Sequence, residues 1–245
     1  MTLFAVLICL ALQYYFDLSS AMRDIWCIAY AQNGLEVLKK WQISKISIIL
    51  GLLLLPILIA IGLINLLLTD ILFDSVKFIF NVLILFYCLD GRHLSELPKE
   101  ITRIFFRAEH YLFSVIFWYV VLGPVGAVGY AFINSLAHST TEFVGAAVRV
   151  RAWLDWIPAR LIAFTYALVG HFGQAFTYLR QHFLEDPYTS MELSHQTGQA
   201  ALGLTPQQAL SVEGEESRQA LDLVHKAVIL WLVVLAVFTL IAWVA

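Results

Sequence analysis

Uncharged apolar runs of bilayer-spanning length constrain this chain more than any other feature. A helix needs ~20 consecutive apolar residues to cross a hydrocarbon core at ~1.5 Å rise per residue. Three stretches meet that need without a charge: Ile46–Leu68, residues 112–136 and residues 227–245. Two more, residues 71–89 and 161–179, have the length but contain Asp74 and Lys77 in the first and His171 in the second. Residues 3–16 form a shorter run with neither a basic n-region nor an Ala-x-Ala cleavage site, so they read as a retained first helix. Lipid offers no partners to backbone N–H and C=O groups, and the runs lack the alternation of a porin strand. The fold class expected is therefore all-α, a polytopic helical integral membrane protein with about five or six spans.

Composition says what the solvent is. At 60% hydrophobic and 13% charged residues, the chain is far more apolar than a soluble domain, in which charged residues make up about a quarter. The net charge of −3, with no basic stripe to neutralise phosphates, excludes a nucleic-acid binder. Cys9, Cys27 and Cys88 have neither metal nor redox spacing. No linker or internal repeat divides the sequence, so residues 1–245 read as a single membrane domain with a small polar helical segment at 180–226. That segment sets seven acidic residues against three basic ones. Residues 205–208, Thr-Pro-Gln-Gln, have the form of a helix start with proline at the first helical position.

Orientation follows from the basic residues. Arg23, Lys39, Lys40 and Lys45 lie in the connection after the first run, and Arg92, Lys99, Arg103 and Arg107 in the connection at 90–111, with a short turn at Thr69 and Asp70 between them. The positive-inside rule puts both basic connections in the cytoplasm. The run at 112–136 is broken near its middle by Leu-Gly-Pro-Val-Gly at 122–126. Either it crosses once with a kink, or it forms a re-entrant hairpin at Gly123 to Gly126 whose ends face the same side. Counting basic residues decides little between the two, and the hairpin, which keeps Arg149, Arg151 and Arg160 inside, is favoured because the segment that follows has the look of a functional surface.

Residues 138–160 then mix Trp153 and Trp156 with Arg149, Arg151, Asp155 and Arg160. That is the composition of an interfacial helix with aromatic rings at headgroup level. Pro158 reads as the first turn of the next helix, with Asp155 near its cap, and Arg160 could pair with Asp155 or reach lipid phosphate. A plain interfacial anchor accounts for most of this; a ligand or partner surface built on Trp153, Asp155, Trp156, Pro158 and Arg160 is the functional reading.

Other ionisable or polar groups near the spans carry a functional and a structural reading side by side. Glu109 and His110 are either a buried polar pair or the end of a solvated basic helix. Asn134 suits a hydrogen bond to a neighbouring helix, and His171, between Gly170 and Gly173, suits a packing position. Asp74 and Lys77 are three apart on one helix face and suit an ion pair. No Walker loop, Gly-x-Ser-x-Gly elbow or cysteine nucleophile motif is present. The seven histidines never pair at ligand spacing on one helix face. No catalytic residue, metal or cofactor is therefore expected.

LDWIPARL at 154–161 and YALVGH at 166–171 resemble the AmpE family of bacterial inner-membrane regulatory signalling modulators in β-lactamase induction. MTLF at 1–4, GAVGYAF at 126–132 and Tyr188-Thr189-Ser190 fit the same family. AmpE proteins are in turn similar to the CobD/CbiB membrane synthases, which form an amide bond in cobalamin biosynthesis. Residues 157–161, Ala108-Glu109, Asn134-Ser135-Leu136 and residues 200–203 match that second family. Where the synthases carry acidic and polar blocks, this chain has Tyr111-Leu112-Phe113 and residues 137–140, and their paired aspartates fall on Arg151 and Ala152. Mg²⁺ and phosphates need hard oxygen ligands, so the resemblance implies an inherited scaffold with its chemistry lost.

The reading that results is a multi-pass inner-membrane regulator linked to β-lactamase induction or cell-wall stress, acting on a regulatory protein partner or a small ligand. A CobD/CbiB-like enzyme is one alternative. A small transporter, with Asp74, Lys77 or His171 lining a water path, is another. Gly123, Gly126 and Gly129 permit close helix packing within the chain or between copies, which leaves the oligomeric state open. A reporter fused after Lys40 should read cytoplasmic; a periplasmic signal there would reverse the whole orientation.

Overall fold

The computed structural model describes residues 2–15, 20–39, 46–71, 74–89, 101–184, 186–204 and 215–244. Lys40, Lys45, Arg92, Lys99, the helix start at 205–208 and the side chains of Lys39, Asp70 and Asp74 lie outside the described residues. The described elements are helical throughout: α1 (Thr2–Tyr15), α2 (Ser20–Lys39), α3 (Ile46–Ile71), α4 (Asp74–Cys88), α5 (Ile101–Ala108), α6 (Ser114–Leu122), α7 (Pro124–Ala137), α8 (Val144–Val169), α9 (Phe172–His182), α10 (Ser190–Ala201) and α11 (Glu215–Val244). A π-helical turn, Glu109–Phe113, joins α5 to α6 without a break. Among the described residues, three helical stretches are long and apolar enough to cross a membrane: Ile46–Leu68, Ile101–Leu122 and Glu215–Ile241. Shorter apolar helices are Thr2–Gln13, Ser75–Cys88 and Pro124–Ala137.

Side-chain exposure follows lipid rather than water as solvent. Ile48, Leu52, Leu55, Ile59, Leu63 and Leu66 on α3, and Ile229, Val233, Val237, Phe238 and Ile241 on α11, are all exposed. Meanwhile Glu109, His110, Asp155 and Arg160 are buried. Apolar surface outside and ionisable groups inside is the arrangement that a hydrocarbon solvent selects.

By contact the chain divides into two compact units, Met1–Asp90 with Val115–Trp153, and Gly91–Ser114 with Leu154–Ala245. In the first, α7 packs against α2, α3 and α4, and α1 packs against α4. The stretch read from sequence as a basic connection is largely helix α2, and Arg23 on it is only 3% exposed. Arg23 Nη1 donates to the Cys88 carbonyl at 2.6 Å, so a buried guanidinium closes the C-terminus of α4, where cations are favoured. Asp24 Oδ1 receives Arg23 Nη2 at 3.2 Å and Ser135 Oγ at 2.5 Å, fastening α2 to α7. In the second unit, α10 packs against α5, α9 and α11, and α5 against α11.

The run at 112–136 breaks near its middle, where the sequence places the break: Gly123 adopts φ 68° and Pro124 opens α7 at its first turn. A Cβ on Gly126 would lie 2.3 Å from the Trp118 carbonyl oxygen, whereas eight residues of straight helix separate two positions by ~12 Å. The chain therefore bends sharply at Gly123. The span expected at 161–179 is likewise broken, at Gly170 and His171, between α8 and α9. Pro158 opens no helix: it lies inside α8, which runs unbroken from Val144 to Val169. A proline forfeits one backbone bond, but ending a helix orphans several groups, so good helix formers on both sides carry α8 through it.

The second break depends on a glycine. His171 N–H donates to the Ala201 carbonyl at 2.8 Å, and a Cβ on Gly170 would sit 2.6 Å from that same oxygen. Gly170→Ala should destabilise the purified protein by about 1–3 kcal/mol in thermal unfolding, the usual cost of overpacking. Gly173→Ala, with nothing within 4 Å of the added carbon, should be neutral or slightly stabilising.

Candidate functional site

A π-helical turn holds one more residue than an α-turn, and such turns recur at functional sites. Here the turn begins at Glu109 and His110, each 1% exposed. The pair is therefore buried rather than the end of a solvated helix. His110 Nδ1 lies 3.3 Å from Asp155 Oδ2 on α8, and Ser114 Oγ donates to Asp155 Oδ1 at 3.2 Å. The Glu109 carboxylate faces α10, where Ser194 Oγ donates to Oε2 and His195 Nε2 stands 3.4 Å from the same atom. Phe106 sits edge-on to both imidazoles, with ring centroids 4.5 Å from His110 and 6.1 Å from His195.

Apolar rings close the cluster from the other side. Tyr166 is fully buried between Phe105 at 5.2 Å and Phe113 at 6.3 Å. Phe113 in turn tilts against Trp231 of α11 at 5.2 Å, whose indole N–H donates to Thr165 Oγ1 at 3.0 Å. Among the described residues, Glu109 Oε1 and the Tyr166 hydroxyl have no hydrogen-bond partner. Unsatisfied buried polar atoms cost ~1–3 kcal/mol each, so natural folds keep few of them. Glu109, His110 and Asp155 each offer a donor atom within 4.8 Å of the others. Two carboxylates and two imidazoles so arranged can hold a cation or pass protons among themselves.

The remaining sequence candidates divide. Arg160, 5% exposed, does not reach outward to lipid: Nε donates to the Phe183 carbonyl and Nη1 to the Trp156 carbonyl, both at 2.7 Å. Its guanidinium also stacks 4.2 Å over the Trp156 ring and lies 5.7 Å from the Phe183 ring. Pro158 is buried one turn away, and Trp153 is 65% exposed, apart from the cluster. Asn134, in the other unit, accepts from Arg151 Nη1 at 3.3 Å, the helix-to-helix bond expected of it. His171 is exposed at the N-terminus of α9 and joins the fold through its backbone.

Ser114, Ser194, His195 and Tyr166 were not among the sequence candidates. Nothing in one-dimensional spacing singles out a serine in an apolar helix. Ligand spacing along one helix face does not register a cluster that converges from α8, α10 and the π-turn. Ser194 and His195 lie in the polar segment, whose acidic composition drew attention to its charge rather than to the face it buries.

The family model described as regulatory signalling modulator protein AmpE matches residues 90–244, well over half of the chain. Among curated relatives, the Cobalamin biosynthesis protein CobD of Stutzerimonas stutzeri (strain A1501) is 29% identical over 179 residues, 60% of this chain and 58% of that protein. Protein AmpE of Shigella flexneri is 31% identical over 94 residues, 34% of this chain and 32% of the relative. The CobD protein of Chromobacterium violaceum is 40% identical over 67 residues, 24% of this chain and 22% of the relative. The matches thus span at most 58% of these relatives' own length. No solved structure matches.

Removing one partner so that a buried polar group is left unsatisfied costs ~1–3 kcal/mol, while exposed positions cost little. Asp155→Ala should therefore lower the melting temperature in detergent by many degrees and Trp153→Ala by almost none. Equal melting of the two variants would mean that the Asp155 to His110 contact contributes nothing to the fold.

Proposed function

We propose, from the premise that this chain belongs to the AmpE family, that it is a regulatory signalling protein of the bacterial inner membrane that modulates β-lactamase induction or the response to cell-wall stress. The observation that carries this reading is that the family match, residues 90–244, encloses every member of the buried cluster: Glu109, His110, Asp155, Ser194 and His195. The same match takes in residues of both compact units, which supports reading 1–245 as one membrane domain with its polar helical segment at 180–226. In the topology that accompanies the reading, α3, the Ile101–Leu122 stretch and α11 cross the bilayer. Shorter apolar helices bring the total to five or six spans, with a re-entrant bend at Gly123 to Gly126. The bilayer is one partner, and a regulatory protein or small ligand is the other. Trp153, Asp155, Trp156, Pro158 and Arg160, together with Glu109, His110, Asn134 and His171, remain the proposed working residues.

A second reading has its own support. Likeness to CobD over 179 residues, combined with buried carboxylates that a purely structural protein has no need to keep, favours a residual amide-forming enzyme of the cobalamin type.

The two separate cleanly. In cells lacking their own copy, β-lactamase induction is measured with the wild-type chain, with Glu109→Gln and with Asp155→Asn plus Arg160→Ala, and membrane abundance is followed alongside. Induction altered severalfold at normal abundance is the expected outcome. Unchanged induction in both variants would remove the regulator's site from this cluster; amide formation on a corrinoid acid by the purified protein would then establish the enzyme.

A further inference from the structure

The buried cluster contains a carboxylate oxygen that neither reading explains. Glu109 Oε2 takes both the Ser194 hydroxyl and the approach of His195, which leaves Oε1 buried with no hydrogen-bond partner among the described residues. Its residue belongs to a set of three, Glu109, His110 and Asp155, each of which offers one ligand atom within 4.8 Å of the others. Zinc-type bonds to nitrogen and oxygen are ~2.0–2.2 Å, so ligands on one ion are at most ~4.4 Å apart. Tetrahedral ligation holds such ligands ~3.4 Å from one another, so the set closes on an ion by side-chain movement of up to roughly 1.4 Å.

We propose that Glu109, His110 and Asp155 form a binding site for a first-row divalent cation of the Zn²⁺ or Mn²⁺ class. Three features of the cluster agree on it. The donor set of two carboxylates and one imidazole suits such ions. Mg²⁺ and Ca²⁺ take oxygen alone, and thiolate-seeking ions find no sulfur here. Charge agrees as well, because two ionised carboxylates in an apolar interior are costly unless offset, and a divalent ion offsets both. Finally, each ligating carboxylate already has a hydroxyl donor, Ser114 on Asp155 and Ser194 on Glu109. That is the outer support that fixes ligand orientation in metal sites. His195, beside Glu109 Oε2, belongs to the same support. The site stands independently of the regulatory reading, since it rests on geometry in one unit of the fold.

The test uses the full chain, free of any histidine tag, purified in detergent and stripped with a chelator. It is then equilibrated separately with Zn²⁺ and Mn²⁺, and its metal content is measured after gel filtration. The wild type should retain about one ion per chain, and Glu109→Gln and Asp155→Asn should each weaken retention roughly tenfold or more, with Ser194→Ala, a supporting group, weakening it less. Circular dichroism and gel filtration establish that the variants are folded. Should they not fold, Co²⁺ loading of the unaltered chain decides the matter, since ligation by nitrogen and oxygen produces visible absorption bands. Retention equal in wild type and folded variants, or a Co²⁺ sample without such bands, would overturn the site and leave a cluster balanced by protons alone. Metal content is read without reference to induction, so failure of the regulator and failure of the metal site are distinguishable.

Discussion

Carboxylates and imidazoles shut away from water, in a protein whose outer surface is hydrocarbon, must find one another. Glu109, His110, Asp155 and His195 are each at most 5% exposed, and no water shell replaces a lost partner there. Everything nearby is arranged to that end. Two serines supply hydroxyls to the carboxylates, Phe106 packs against both imidazoles, and Tyr166 packs against Phe105 and Phe113. Ionisable groups buried in so apolar a protein are a functional-site hypothesis by default, and the family match covers all of this cluster.

The helical breaks make that meeting possible. Regular α-helix carries a side chain around the axis by a fixed step, so two adjacent residues seldom both face inward. The π-turn at Glu109–Phe113 relaxes that step, and Glu109 and His110 both turn toward the interior. The break at Gly170 and His171 performs a comparable service for α9 and α10: removal of one Cβ lets the Ala201 carbonyl approach and accept the His171 N–H. Pro158, by contrast, leaves α8 continuous, and that continuity places Asp155 and Arg160 on a single rigid element.

The chain belongs to the AmpE family and is similar over part of its length to the Cobalamin biosynthesis protein CobD. Along the chain, Glu109 and His110 are followed by Tyr111-Leu112-Phe113, and Asp155 lies four residues after Arg151. In space, the two acids are gathered with histidines that spacing alone does not associate.

Helical class, lipid as solvent and the main apolar runs were legible from the sequence, because each rests on properties that sum along the chain: charge-free length, composition and backbone satisfaction within a helix. Ile46–Leu68 shows it, appearing as the same span in sequence and structure. Asp155, Glu109 and His110 could be singled out one by one as polar groups in apolar surroundings. Their convergence could not, since it depends on a π-turn with no composition signature and on α10 arriving from a distant part of the chain with Ser194 and His195. Helix ends were misjudged at Pro158 and Gly170 for a related reason. Local preference sets the cost of continuing a helix, but the packing of neighbours decides whether that cost is met. Sequence thus determined what this protein is made of and the solvent it suits; tertiary structure alone decided which ionisable groups share one dry space, because burial and proximity are properties of pairs of helices.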